Sequence, residues 1–165
     1  MGVRDMIPAL YIRLGRDQAA YDFMKWYATT GQDPRYNWGD IDLPFLDIKD
    51  GDVLESPAGM WTDEWLDLSH CSAVVLVKVR VLLDIQAVQN ALYALGGNVP
   101  QEVIRRRLVG TIVESHRYST TQLLPLPLSL WRTPLEACLM LSYNFAAWAE
   151  TTGAIDMIKT LSQVV

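Results

Sequence analysis

The chain has 165 residues, half of them hydrophobic, with six tryptophans and a net charge of −5. That length and apolar content suit one folded domain with a real core and exclude a disordered chain. The negative charge argues against nonspecific nucleic-acid binding, which needs clustered cations.

In chain order, Ile7, Leu10, Tyr11 and Leu14 recur at helical spacing. Pro8 fits only a first turn, so this helix starts near Asp5, and Gly15 ends it. Asp17 is placed to cap a second helix, whose apolar stripe is Ala20, Phe23, Met24 and Tyr27 and which Gly31 closes. Residues 1–32 therefore read as a helical hairpin. Residues 33–68 read as a long, partly ordered acidic loop, because Pro34 to Met60 keeps no period and holds many Asp, Pro and Gly. Between Asp33 and Asp67 ten acids face Arg35 and Lys49, a net of −8; taking −8 from −5 leaves +3 for the rest. Such a segment either is a solvated loop or meets a basic partner.

Residues 69–115 hold a long helix and a second one. VKVRV alternates like a strand, but Val74, Val77, Val81, Ile85, Val88, Leu92 and Leu95 are spaced by three or four throughout. Lys78 and Asp84 flank that stripe, and Val75, Val79, Leu82 and Leu83 add a second apolar side, which predicts a central helix contacted on two faces. Arg80 and Asp84 form an i, i+4 pair, and Gly96-Gly97 stops the helix. Asn98, Pro100 and Gln101 start the next, which carries Arg105, Arg106 and Arg107 as a cationic patch. Residues 116–132 are a Pro- and Leu-rich linker. Residues 133–165 read as a C-terminal hairpin: Thr133-Pro134-Leu135-Glu136 starts a helix with a stripe of Cys138, Leu141, Phe145 and Trp148, and Ala154, Ile155, Ile158 and Leu161 carry the last one.

The chemical signals are few. Cys71 and Cys138 lie in apolar contexts and read as buried free thiols in a reducing compartment. The amino-terminal residues show no signal-peptide pattern, and AVVLVKVRVLLDI is too short and too charged to span a bilayer. An intracellular protein, cytoplasmic or nuclear, is expected. Gly51 at the sixth position of an EF-hand loop would put Leu46, Ile48 and Pro57 where ligands belong, so that motif fails. A looser oxygen site from Asp47, Asp50, Asp52 and Glu55 stays open. Cys71 with His70 or His116 lacks a third orienting group; adjacent helical residues also point about 100° apart. LGRDQ and LGGNVP lack the flanking strand and the Lys-Ser/Thr of a phosphate loop. The Arg triplet is either a solvated helix face or an anion site. Tryptophans in WYATTGQDPRYNWGD and GMWTDEW interleave with acids, which disfavours single-stranded nucleic acid and suggests that they pin the loop to the helices. No catalytic, cofactor or metal residue is assigned.

AYDFMK (Ala20 to Lys25) aligns with AIDMIK (Ala154 to Lys159), each after a helix-ending break. With Tyr11, Gly15, Ala20, Phe23 or Met24, and Pro34, the first pair resembles a tetratricopeptide repeat; in the last pair Ala149 stands at the turn Gly, Gly153 comes late and no Pro follows. The runs LYIRLGRDQAAYDFMKWYATTGQDPRYNWGDIDLPFLD and LDLSHCSAVVLVKVRVLLDIQAVQNA resemble an uncharacterised fungal family, some members of which are labelled MYND-type zinc-finger proteins. Two cysteines cannot build that finger, so the resemblance implies no activity and no site residues. The expectation is a single all-α domain of antiparallel, tetratricopeptide-like hairpins with a long acidic loop, serving as a noncatalytic scaffold for a protein or peptide partner and acting on neither nucleic acid nor membrane. The alternatives are a metal-dependent or enzymatic domain centred on the acidic loop, or a fragment of a larger protein whose function lies elsewhere.

Overall fold

The computed structural model describes residues 2–56, 68–94 and 134–163, and among these the regular structure is helical, with no strand. A 3-10 turn, Val3–Asp5, leads into α1 (Ile7–Arg13), followed by α2 (Asp17–Ala28) and a second 3-10 turn, Thr30–Gln32. Then come α3 (Leu68–Ala94), α4 (Pro134–Glu150) and α5 (Ala154–Ser162). The expected second helix before residue 115, Arg105 to Arg107, His116, the linker 116–132 and the Gly96-Gly97 stop lie outside the described residues, as do Trp61 and Trp65.

The α1–α2 corner forms as its sequence dictates. Pro8 sits in the first turn of α1, where its missing N–H costs nothing. Gly15 is left-handed, with φ 69°, and its N–H donates to Ile12 O at 2.9 Å, while Arg16 N–H donates to Tyr11 O at 2.9 Å. These two bonds make a Schellman stop. Asp17 differs from expectation: it is the first residue of α2, the cap position is Arg16, and no side chain caps the helix. The Asp17 carboxylate instead lies 2.9 Å from Arg80 Nη1, which also donates to Ile12 O at 2.8 Å. Arg80 thus clasps the corner from α3 rather than pairing with Asp84, and its charge suits the carbonyl end of α1. Gly31 likewise is no helix stop; α2 ends at Ala28 and Gly31 lies in the following 3-10 turn, where a Cβ would meet the Trp26 ring at 3.1 Å.

α3 is the hub and packs against α1, α2, α4 and α5. Much of its first half is buried: Ala73, Val74, Leu76, Val77, Lys78, Val79 and Leu82 lose nearly all solvent contact. Its second half emerges from the core, and Val88 and Leu92 are exposed. Across from it, Ile12, Ala20, Phe23, Met24, Ala147 and Ala154 complete one core.

The stripe of α4 is shifted from the expected one. Leu141 and Phe145 are exposed, as is Cys138, whereas Asn144 and Ala147 are buried. Polar ties fix this rotation: Asn144 Nδ2 donates to Ser69 O at 3.2 Å, and Trp148 Nε1 donates to Ser72 Oγ at 3.2 Å. Neither thiol is fully buried, since Cys71 is half-buried. No described helix is long and apolar enough to cross a membrane.

Candidate interaction site

Residues 33–56 contain no helix or strand, yet they run along α2 as a strap that is tied down at named atoms. The ties explain why α2 buries polar side chains besides its apolar stripe. Asp22 is nearly buried, and its carboxylate accepts Asp50 N–H at 3.1 Å, Gly51 N–H at 2.8 Å and Gln18 Nε2 at 2.9 Å. Gln18 also donates to Gly51 O at 2.9 Å. One carboxylate therefore replaces the water that two strap amides would otherwise hold. Gly51 passes close to α2; a Cβ there would sit 3.1 Å from both Asp22 Oδ1 and Lys25 Cδ.

Farther along the strap, Glu55 meets Lys25 Nζ at 2.8 Å and accepts from the buried Tyr21 hydroxyl. Lys78, expected beside the apolar stripe of α3, is 1% exposed. Its ammonium donates to Val53 O at 2.6 Å and Glu55 O at 3.0 Å and lies 5.9 Å from the centre of the Tyr21 ring. Burial pushes the Lys78 pKa down to about 8, against the opposing pull of Glu55 and Asp52. A sequence scan for helical periodicity misses this residue because it cannot see that the strap lies over that face. The signal it offers is a single cation in the seven residues Ala73 to Val79, of which the other six are apolar.

Upstream, the anchor is aromatic. Trp26 is fully buried, donates its indole N–H to Asp47 Oδ1 at 3.1 Å, and meets Tyr36, Trp38 and Phe45 edge to face with centroids 4.9–5.8 Å apart. Such pairs each add about 0.5–1.5 kcal/mol beyond area burial. The tryptophan pin thus comes from the helix as much as from the strap. Tyr27 stacks on Trp38 at 6.4 Å, and the Arg4 guanidinium lies 5.0 Å from the centre of the Tyr27 ring. Leu46 and Asp50 hold positive φ, 51° and 54°; aspartate tolerates this left-handed conformation, whereas leucine rarely adopts it.

The strap is anchored by one side and exposed on the other. Trp38 is 58%, Ile41 95% and Phe45 56% exposed. Asp40 and Asp42 flank Ile41 and are exposed, and no described cation lies in ion-pair contact with either. Arg35 is committed to Asp33 through two side-chain bonds of 3.0 and 2.9 Å, which holds the Asp33 carboxyl down at about 2.

The four carboxylates considered as a loose oxygen site are dispersed. Asp47 faces Trp26, Asp52 accepts Leu54 N–H at 2.8 Å, Glu55 faces Lys25 and Tyr21, and Asp50 contributes its main-chain N–H to Asp22. Among the described residues no three His, Cys, Asp or Glu side chains gather as a ligand set. His70 is buried against the rings of Phe23 and Tyr27, with centroids 5.8 Å from each.

A second concavity, an open cleft of about 300 Å³, lies between α1, α3 and α4. Arg13 and Glu150 bridge its rim bidentately, at 2.8–3.1 Å, and Arg80, Asp84, Thr151 and Thr152 line it. Both arginines are already engaged with carboxylates. No family model matches the chain, and no curated protein and no solved structure is similar to it.

Proposed function

We propose that this chain is a noncatalytic helical scaffold for protein–protein interaction, built from antiparallel, tetratricopeptide-like hairpins and working inside the cell. The observation that carries the reading is the exposure of Trp38, Ile41 and Phe45 on a strap whose other side is bonded to α2 and α3. Large apolar side chains clustered at the surface of a rigid frame mark interaction sites. The group best suited to chemistry, Lys78, supports the same reading: it is enclosed and its protons are directed at two main-chain carbonyls. The hairpin part rests on the Gly15 stop and on Ala20, fully buried where the first two helices meet, as a repeat of that kind requires. The step from helical architecture to scaffold is analogy of fold.

Affinity capture with the intact chain tests the reading, with Ala20→Trp as the control whose fold is broken. A protein recovered by the native chain and absent from the control, and then bound again as a purified component, supports a scaffold. A melting temperature that rises by several degrees with one divalent cation would instead favour a metal-dependent domain on the acidic segment.

A further inference from the structure

We propose that the outer face of the strap, Trp38, Ile41 and Phe45 flanked by Asp40 and Asp42, docks a partner segment that carries basic and apolar side chains together. The inference rests on the scaffold reading and names the partner's chemistry. Three features of the strap select it. First, the aromatic side chains are held and do not need ordering on binding: Trp38 lies against Trp26, Tyr27 and Tyr36, and Phe45 lies against Trp26. Preorganised indole and phenyl groups are the residues that dominate binding energy, because their rotamer entropy is already lost. Second, Ile41 is 95% exposed, so nothing in the described fold explains an isoleucine there. Third, the charge is predominantly negative. Within 33–56 seven acids stand against Arg35 and Lys49, and Arg35 is neutralised by Asp33. Asp40 and Asp42 adjoin Ile41 in the chain and are exposed, so a segment that covers Ile41 meets carboxylates next to an apolar side chain. A lysine or arginine beside an apolar residue matches both, and an acidic segment is repelled.

Anisotropy titrations of the intact chain with short labelled peptides test this, using three families: lysine with leucine and phenylalanine, the same lysines with serine, and glutamate with leucine and phenylalanine. The basic apolar family is expected to bind, to weaken with added salt, and to weaken roughly tenfold or more in Trp38→Ala, as for a central interface residue. Ile41→Ser is expected to weaken it too, with the melting temperature of the free chain unchanged, as for a fully exposed side chain. Asp40→Asn with Asp42→Asn is expected to flatten the salt dependence. Equal binding of the serine family, equal binding of the acidic family, or wild-type binding by Ile41→Ser overturns the proposal. A concentration-dependent dimer in sedimentation that Ile41→Ser abolishes also overturns it, since the occupant is then a second copy. A partner captured equally by wild type and Ile41→Ser leaves the scaffold reading standing and removes the strap face from it.

Discussion

Lys78 shows how a single residue is read differently once its surroundings are known. On a helical wheel it edges an apolar stripe; in the fold it is an enclosed ammonium bonded to the strap at Val53 O and Glu55 O. Its pKa in the folded protein, about 8, is below the ordinary 10.5. Between those values the unfolded chain binds a proton that the folded chain does not, so stability rises with pH across the window and the cost of the buried charge is fully present below about 8. Melting curves from pH 7 to 10.5 should therefore rise relative to those of Lys78→Met, and parallel curves would mean that Lys78 is solvated. Asp22 makes a stronger case for destabilisation. Asp22→Ala strands the amides of Asp50 and Gly51 and should cost about 2–4 kcal/mol in urea unfolding. By contrast the Arg13–Glu150 pair is half-exposed on both sides, and Arg13→Ala should leave the urea midpoint nearly unchanged.

Among the elements, the α1–α2 corner was the most legible from sequence. Gly15 stops α1 in the left-handed conformation that only glycine adopts freely, and no atom lies within 4 Å of a Cβ built there. Gly15→Ala should thus cost about 1–2 kcal/mol through backbone strain alone, with Gly15→Asn milder; calorimetry showing no loss would contradict the left-handed turn. What sequence did not disclose is the role of Asp17, because Arg80, 63 positions later, reaches its carboxylate and takes it from the capping role. The stripe of α4 was misread for a related reason: Leu141 and Phe145 satisfy helical spacing, yet Asn144 and Trp148, bonded to α3, decide which side turns inward. The echo of AYDFMK in AIDMIK also divides on inspection of the elements. Ala20 and Ala154 are both fully buried, but Asp22 holds the strap, whereas Asp156 is exposed and lies 3.6 Å from Lys159.

At the scale of the whole molecule, the all-α class and the central place of α3 followed from periodicity, since seven apolar positions spaced by three or four fit no strand. The strap did not follow. Its contacts join residues 21 to 34 positions apart, and several of them use main-chain amides and carbonyls of the strap, which no side-chain period records. Composition marked the segment as acidic, and the structure directs Asp47 and Glu55 to donors on α2, keeps Asp33 and Asp52 bonded within the strap, and leaves Asp40 and Asp42 exposed next to Ile41 in the chain. The proposed docking face depends on the strap being held as one fixed surface, and amide hydrogen exchange reads that directly. The account predicts that the Asp50 and Gly51 amides exchange at least about tenfold more slowly than in a free peptide and lose that protection in Asp22→Ala, while the first half of α3 stays protected. Free-peptide exchange at both amides in the native chain would contradict it.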